Sequence, residues 1–316
     1  MSTSELAAPK AAPAATATVA KNPRPRLKFK DTWWRHAVGV IAMCVALFPV
    51  VYIVSSAFNS NNSLQSAQVI PTHVTLDNFS NLLHNTVKGN TGAKQDAPYP
   101  NWFLNSMLIA LATAIATTVL GALAAYAFSR FRFKGRRSGM LGLLLIQMFP
   151  QFVAVAAIYL IVLNVGEVFP QIGLDKQAAV VIVYLGGALG VQAWLMKGYF
   201  DTIPTELDES AKVDGATASQ IFWGVVLPLA APVLAVVALI SFVFTLNEFV
   251  IASAILQTTS HKTLPVGMQL FISGSYDKVW GPFTAGALLA AIPVAALFLF
   301  LQPYIVSGLT AGGVKG

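Results

Sequence analysis

The stretch ELDESAKVDGATASQIFWGVVLPLAAP, residues 206–232, decides the fold, because it joins two long apolar segments through a short acidic one. Its first nine residues carry one positive charge, on Lys212, against the carboxylates of Glu206, Asp208, Glu209 and Asp214. Charged groups next to apolar segments need a physical reason, since burying an unpaired charge is costly. That reason depends on what the apolar segments are and on which side of them the carboxylates lie.

The composition of the chain is that of an integral membrane protein. Of its 316 residues, 56% are hydrophobic and 10% are charged, and the mean hydropathy is +0.66. An average soluble domain is about 25% charged. The net charge of +7 could suggest a nucleic-acid partner, but the distribution of charge matters more than its sum, and we expect no nucleic acid. Because the four histidines have no metal-ligand spacing, we also expect no metal.

Six apolar segments are long enough to cross a hydrocarbon core of about 30 Å, which needs about 20 helical residues. They lie at 37–57, 104–128, 139–164, 178–197, 229–252 and 283–306. Barrel strands would instead alternate over about 10 residues. We therefore predict an all-α integral membrane protein with six transmembrane helices in a domain at 36–308. The Ala/Pro/Thr-rich, then basic, residues 1–35 are predicted to be a disordered tail, and 309–316 form a second tail.

The distribution of positive charge predicts the topology. With six spans, both termini lie on one side, and that side receives 15 of the 20 Lys and Arg residues. The loop at 129–138 alone holds five of them. Because positive residues mark the cytoplasmic side, we predict a multi-pass protein of the cell inner membrane with both termini in the cytoplasm. The acidic stretch then faces the cytoplasm as well.

Local signals in the acidic stretch predict a short helix over about 205–216, followed by a turn. Thr205 is a suitable N-cap, and Asp208 three residues later completes a capping-box pattern. Gly215 suits the left-handed residue that ends a helix. The TASQ sequence at 217–220 repeats the capping pattern and starts a helix that leads into the fifth span.

This short helix has two possible roles. It could simply join two spans at the membrane interface. It could also be a docking element for a cytoplasmic protein, because Ser210 and Ala211 are small enough to allow close approach and its carboxylates can meet Arg or Lys of a partner.

The chain lacks the motifs of an enzyme. It contains no G-x-x-x-x-G-K-[ST] phosphate loop and no nucleophile elbow, and the glycines of TAGGVKG at 310–316 lack the context of a phosphate site. If the protein moves anything uphill, a partner or an ion gradient must supply the energy.

The acidic stretch resembles the EAA loop of ABC importer permeases. The matching positions are Glu-Ser-Ala at 209–211, Asp-Gly-Ala at 214–216 and Val-x-Leu-Pro at 225–228, with nine residues between Gly215 and Val225. Ser210 and Val225 depart from the family's Ala and Ile. Further stretches resemble MalG-type permeases of maltose/maltodextrin importers over about 36–316: QMFP (147–150), YLGG (184–187), KGYF (197–200) and GLTAGGVKG (308–316).

The resemblance implies a permease subunit that forms half of the translocation pathway of an ATP-driven maltose/maltodextrin importer. It implies a MalF-type sister permease, a MalK-type ATPase homodimer and a periplasmic or lipid-anchored sugar-binding protein, all embedded in or next to membrane lipid. The chain would bind no cofactor, since ATP-Mg would be bound by the ATPase. Another sugar, such as trehalose, is an alternative substrate.

The resemblance also implies two contact regions with the ATPase. The first is the coupling helix, with Glu206, Asp208, Glu209, Ser210, Ala211, Asp214 and Gly215. The second is the C-terminal tail, with Thr310, Gly312, Gly313 and Lys315.

Polar residues inside the spans leave two rival classes open. Glu248 lies within the fifth span beside Asn247, and intramembrane carboxylates are often functional, so a proton-coupled secondary transporter is one alternative. Gln147 and Gln151 flank Pro150 and could line a pathway or make packing hydrogen bonds. A non-transporting membrane scaffold is the other alternative, but it explains neither the prolines within the spans nor a docking loop.

Overall fold

The computed structural model describes residues 29–60, 73–88, 94–273 and 278–313. The helices in these ranges are α1 Phe29–Ala57, α2 Asp77–Leu83, α3 Tyr99–Arg130, α4 Arg136–Gln147, α5 Gln151–Val168, α6 Gln177–Phe200, α7 Glu206–Val213, α8 Ala218–Ile221, α9 Leu227–Leu229, α10 Ala231–Asn247, α11 Val250–Ile255, α12 Leu264–Ile272 and α13 Trp280–Gly313. Two short strands, β1 Thr86–Lys88 and β2 Lys94–Asp96, form an antiparallel pair that the all-α prediction did not include.

The chain divides into two compact units, Met1–Phe48 and Pro49–Gly316. The described part of the first unit is the beginning of α1. The predicted tail at 1–35 is too long, because residues 29–35 already belong to α1, whereas residues 1–28 lie outside the described part. At the other end, α13 continues to Gly313, so most of the predicted tail at 309–316 extends a spanning helix.

Three helical segments in the described ranges are individually long and apolar enough to cross a membrane: Trp33–Ala57, Tyr99–Arg130 and Trp280–Val306. Three further pairs of helical segments pass the same test when each pair is taken together, although each is bent by more than 40°. The number of crossings therefore reaches six if each bent pair counts as one span. This agrees with the all-α membrane fold with six transmembrane segments, three of which are bent pairs of helices.

The predicted third span at 139–164 is two helices. α4 and α5 meet at an angle of 99°, and Pro150 lies at the junction with an extended backbone. Proline has no N–H to continue the hydrogen-bond pattern of α4, but it is well suited to precede a new helix. The bend therefore falls within the predicted span, at the proline that interrupts its hydrogen-bond pattern.

The predicted fourth and fifth spans are also interrupted. α6 bends by 52° between Gly187 and Gly190. The segment that leads into the fifth span meets α10 at 79°, and α10 ends at Asn247, short of the predicted boundary at 252. The continuation is the separate helix α11.

α3 is the central helix of the second unit. Along its length it contributes to four buried clusters, beginning with Tyr99 and Trp102 and ending with Ala122, Ala125 and Tyr126. Toward α6 and α10 it presents mainly small residues, which let helices approach closely in a membrane. α3 therefore sets the positions of the elements packed against both of its ends.

Two close contacts show how tightly α3 is held. Thr117 Oγ1 lies 2.8 Å from Ser241 Oγ of α10 in a buried hydrogen bond. Near the other end, the fully buried Trp102 ring packs so closely on Gly267 of α12 that a Cβ atom at Gly267 would overlap the ring. Only glycine fits beneath this indole without displacing it.

We predict that Gly267→Ala destabilises the protein, because the added methyl group must displace the Trp102 ring. Overpacking of this kind typically costs about 1–3 kcal/mol. The measurement is thermal unfolding of the purified protein in detergent. Gly142→Ala in α4 is the matched control, since no atom lies within 4 Å of its added Cβ, and it should be neutral or slightly stabilising. Equal melting temperatures for the two variants would contradict this packing argument.

Candidate functional site

The acidic stretch belongs to a compact element that we name the connector, residues 201–229, which joins α6 to α10. Its apolar side chains Ile203, Ile221, Phe222 and Val226 are buried in one cluster with residues of α3, α6 and α10. The Phe222 ring lies 5.1 Å from that of Tyr126 on α3, centroid to centroid. The connector is therefore part of the hydrophobic core at this end of the molecule and is not a free loop.

An ion pair fastens the connector to the end of α3. Arg130 Nε lies 2.7 Å from Asp208 Oδ2, and the two side chains are only 8% and 7% exposed. Arg130 also donates a hydrogen bond of 3.0 Å from its guanidinium to the carbonyl of Ile203. One arginine thus holds both the beginning of the connector and α7.

The position of Asp208 overturns the predicted capping box at the start of α7. Thr205 makes no side-chain cap hydrogen bond, and Asp208 turns inward to Arg130. The local pattern of α7 does not identify Arg130 as its partner, because in the sequence Arg130 is one of five basic residues at 129–138. A signal was available, because Arg130 is the first basic residue after the predicted second span and so lies at the level of the connector's carboxylates.

The turn after α7 is confirmed. Gly215 has a φ of +84°, and its N–H donates to the carbonyl of Lys212 at 3.0 Å. The N–H of Ala216 donates to the carbonyl of Ala211 at 2.9 Å. These two bonds form the Schellman motif that ends a helix with a left-handed residue.

The predicted cap of the next helix is also confirmed. Thr217 Oγ1 accepts a hydrogen bond from the N–H of Gln220, and Gln220 Oε1 accepts one from the N–H of Thr217. This reciprocal pair fixes the direction in which α8 leaves the turn. The turn between α7 and α8 is therefore fixed by backbone hydrogen bonds at the end of α7 and by the side-chain cap at the start of α8.

α7 has an inner and an outer face. Asp208 is buried and Ala211 packs partly against the core, so Ala211 provides close packing within the chain itself. The exposed residues of α7 and its turn are Glu206, Leu207, Glu209, Ser210, Lys212, Val213, Asp214 and Gly215. Val213 is 87% exposed and Leu207 is 40% exposed. The outer face thus combines carboxylates with two exposed apolar side chains, of which Val213 is the more exposed.

A polar network surrounds Asp201, the first residue of the connector. Ser129 Oγ donates to Asp201 Oδ1 at 2.7 Å, Lys197 pairs with the other carboxylate oxygen, and Arg136 donates to the Ser129 carbonyl at 3.3 Å. Burial would raise the pKa of Asp201, but the hydrogen bonds from Lys197 and Ser129 and the charges of Lys197 and Arg136 lower it below its usual value. Asp201 therefore stays charged and ties α6 to α3.

Glu248, a predicted pathway residue, caps a broken helix. It lies between α10 and α11, where its Oε1 accepts the N–H of Ile251 at 2.8 Å and its Oε2 accepts the N–H of Ala252 at 3.1 Å. Tyr184 of α6 donates its hydroxyl to the same Oε2. Glu248 is only 8% exposed, and its carboxylate accepts hydrogen bonds from these three donors of the protein.

Gln147 has a similar structural role at the bend of α6. Its Nε2 donates to the carbonyl of Gly187 at 2.6 Å, and its Oε1 accepts the N–H of Val191 at 3.1 Å. Gly190 allows this contact, because a Cβ there would lie 2.7 Å from Gln147 Nε2. Of the two interpretations left open for Gln147, the structure supports the packing hydrogen bond.

The remaining predicted site residues make fewer contacts. Asn247 is exposed and donates to the carbonyl of Val243 within α10. The side chains of Gln151 and Thr310 lie outside the described part, as do the surroundings of Gly312 and Gly313 and the whole of Lys315. Among the described residues, no group of three or more His, Cys, Asp or Glu side chains could hold a metal ion.

Comparison with protein families and curated proteins gives a consistent result. Residues 117–310, which contain the whole connector, match the family model described as binding-protein-dependent transport system inner membrane component. The chain is 40% identical over 272 residues to the galactooligosaccharides transport system permease protein GanQ of Bacillus subtilis strain 168, covering 86% of this chain and 91% of GanQ. It is 37% identical over 283 residues to the maltose/maltodextrin transport system permease protein MalG of Escherichia coli strain K12, covering 89% and 95%.

The fold is also similar to a solved structure. A chain in the crystal structure of a bacterial ABC transporter involved in the import of the acidic polysaccharide alginate superposes with a TM-score of 0.71 at 22% identity. The match covers 89% of this chain and 99% of that chain. At this identity the likeness concerns the fold.

We predict that breaking the ion pair between Arg130 and Asp208 destabilises the protein more than losing a surface charge. Arg130→Met leaves a buried carboxylate unpaired, which typically costs about 3–5 kcal/mol. Replacing both residues, in Arg130→Met/Asp208→Leu, should recover most of that loss, because no isolated charge remains. The measurement is denaturant-induced unfolding of the purified protein.

The matched control for this prediction is Lys134→Met, which removes an exposed cation from the loop that follows α3. It should change the unfolding free energy by less than about 1 kcal/mol. A single variant at Arg130 that is no less stable than the Lys134 control would contradict the anchoring role of the pair.

Proposed function

Since this chain belongs to the family of binding-protein-dependent transport system inner membrane components, we propose that its connector is the surface through which an ATPase drives sugar transport. The chain is a membrane permease subunit, and ATP hydrolysis is the task of separate partner subunits, which would also bind the ATP-Mg. In this proposal the chain forms half of the translocation pathway and a sister permease of the MalF type forms the other half.

The observation that carries the proposal is the way in which the connector is attached to α3, α6 and α10. Its inner face is fastened to α3 by Arg130 and Asp208 and buried among α3, α6 and α10. Its outer face, with Glu206, Glu209 and Val213, is exposed. A force applied to this face would be passed to three long helices at once, which a flexible loop could not do.

The charges of the outer face suit a MalK-type ATPase dimer with basic groups beside a small apolar pocket. Glu206 and Glu209 would meet Arg or Lys, and Val213 would enter the pocket. This arrangement puts the connector and both termini in the cytoplasm, as the excess of Lys and Arg on that side favours. The C-terminal residues Thr310–Gly316 would reach the same ATPase.

The opposite end of the molecule would receive a sugar-binding protein. One end of α3 contacts the connector through Arg130, and the other end contacts polar loop residues through Trp102 and Asn105. At 1.5 Å per residue these sites are about 40 Å apart, which is the thickness of a membrane with its interfaces. The binding protein would be periplasmic or lipid-anchored.

The proposed substrate is maltose or a maltodextrin. A relative from Bacillus subtilis strain 168, 39% identical over 272 residues, is a maltodextrin transport system permease protein, and several others are maltose/maltodextrin permeases. The 40% identity to a galactooligosaccharides permease favours galacto-oligosaccharides as a second candidate. Trehalose, the other alternative from the sequence, has no support among these relatives.

The structure weakens the case for a proton-coupled transporter that uses Glu248. Its carboxylate accepts hydrogen bonds from two backbone N–H groups and the Tyr184 hydroxyl. A group with this environment serves as a helix cap, and its place within a span is explained without proton transport.

We predict that the reconstituted complex takes up labelled maltodextrin only when ATP and the binding protein are both supplied. The measurement is uptake into proteoliposomes, with ATP placed on either side of the membrane and with labelled galacto-oligosaccharide as the second substrate. A pH gradient in place of ATP should give no uptake. Uptake driven by the pH gradient alone would overturn the proposal in favour of the secondary transporter.

We predict that Gly215→Val uncouples ATP hydrolysis from transport, whereas Gly215→Asn retains coupling. No atom lies within 4 Å of an added Cβ, so the effect comes from the φ of +84° alone. That conformation costs most side chains about 1–2 kcal/mol, is least suited to β-branched ones and is tolerated by Asn.

The measurement is the ratio of sugar transported to ATP hydrolysed by each variant complex. We expect Gly215→Val to insert and assemble, but its ratio of sugar transported to ATP hydrolysed should fall at least about tenfold, because the outer face of α7 is displaced. A tenfold change corresponds to a free-energy difference of about 1.4 kcal/mol. Wild-type coupling in Gly215→Val would refute the role of the turn.

A further inference from the structure

A second polar cluster is centred on Asp175, in the segment that joins α5 to α6 along the chain, and lies far from the connector. The Asp175 Oδ1 atom accepts the N–H groups of Gln257 at 3.0 Å and Thr258 at 2.9 Å. Its Oδ2 atom lies 2.8 Å from His261 Nδ1. One carboxylate thereby closes a turn at 257–261, which follows α11. We name this cluster the Asp175 latch.

The backbone of Asp175 is held in place as firmly as its side chain. Its φ is +62°, in the left-handed region that few non-glycine residues adopt. Its N–H donates to the carbonyl of Ile255 at 2.9 Å. Just before it, Gly173 approaches Gly166 of α5 so closely that a Cβ on Gly166 would lie 2.7 Å from Gly173 Cα. The segment is folded back tightly, and this brings Asp175 to the turn.

The charge on Asp175 is maintained by the turn itself. Partial burial would raise the pKa of this carboxyl, but hydrogen bonds from Thr258 and His261 and the nearby His261 ring lower it below its usual value. Hydrogen bonds to an ionised acceptor are stronger than those between neutral groups. The latch is therefore a strong local constraint on a segment that is largely exposed.

The other side of the same turn is held by α3. Trp102 Nε1 donates to the carbonyl of Thr259 at 2.6 Å. Asn105 Nδ2 donates to the carbonyls of Ser260 at 2.9 Å and Lys262 at 3.1 Å, and its own Oδ1 accepts from Gln177 at 2.7 Å. Between them, the latch and α3 bind successive N–H and carbonyl groups of one short turn.

These contacts leave a specific surface exposed. The side chains of Gln257, Thr258 and Thr259 are exposed, while the backbone beneath them is fixed from two sides. A surface that is ordered before binding loses less conformational freedom when a partner arrives. The turn also lies at the end of α3 opposite the connector, so it would face the side from which a binding protein approaches.

We propose that Asp175 is a positioning residue that holds the 257–261 turn in the shape in which the sugar-binding protein engages it. This rests on the proposed function, which supplies the partner. Asp175 does not itself need to touch the partner or the sugar. Its role is to keep the amide and hydroxyl side chains of Gln257, Thr258 and Thr259 in one arrangement.

Two substitutions separate this role from that of an ordinary turn residue. Asp175→Gly suits the φ of +62° but removes the acceptor. Asp175→Asn also suits that φ and keeps one oxygen, which can accept the N–H groups of Gln257 and Thr258. If only the backbone conformation mattered, both variants would behave like the wild type.

The experiment measures ATPase activity of the complete reconstituted complex as the concentration of sugar-loaded binding protein is raised. We expect all three complexes to share the same basal ATPase activity without binding protein. Asp175→Gly should need at least about tenfold more binding protein for half-maximal stimulation, equivalent to 1.4 kcal/mol. Asp175→Asn should stay within about twofold of the wild type, equivalent to about 0.4 kcal/mol.

The outcomes are distinct. Wild-type behaviour of Asp175→Gly would overturn the proposal, as would an equal loss in Asp175→Asn. If Asp175→Gly fails to assemble, Thr258→Pro tests the other end of the bond, because the φ of −66° at Thr258 suits proline while its N–H is lost. Thr258→Pro should weaken stimulation more than Thr258→Ala, which removes the same side chain but keeps the N–H, and equal stimulation of the two variants would again overturn the proposal. A wild-type complex that no binding protein stimulates would instead contradict the proposed function.

Discussion

The membrane interior offers no water to backbone N–H and carbonyl groups, so every break in a spanning helix must be satisfied by the protein. This constraint explains the polar residues within the spans. Glu248 accepts the free N–H groups at the start of α11, and Gln147 bridges the carbonyl of Gly187 and the N–H of Val191 at the bend of α6. Without these partners the bent spans would leave groups unpaired, at several kcal/mol each.

α3 links the connector to the 257–261 turn. At one end, Arg130 holds the connector through Asp208 and the carbonyl of Ile203. At the other, Trp102 and Asn105 hold the turn that the Asp175 latch closes. Between these ends the helix is continuous and closely packed. One continuous helix therefore contacts both the connector and the 257–261 turn.

Prediction from sequence succeeded where the signal was local. Gly215 and the Thr217–Gln220 pair form the turn and cap that their spacing indicates, because both depend on backbone geometry within a few residues. It failed for Asp208, which does not cap α7 as its local pattern predicts but pairs with Arg130 from a distant part of the chain. Once Asp208 is buried, leaving its charge unpaired would cost more than losing an exposed cap, and nothing within α7 reveals that Arg130 lies beside it.

The sequence by itself determined that this is a helical membrane protein, which segments are apolar, and where the acidic connector begins and turns. These properties follow from composition and from signals between near neighbours. Only the tertiary structure decided that Glu248 and Gln147 are caps, that Ala211 faces inward and that Asp175 reaches the 257–261 turn. Each of these depends on which groups from distant parts of the chain meet when α3 packs against its neighbours, and an apolar segment of a given length is compatible with many such packings.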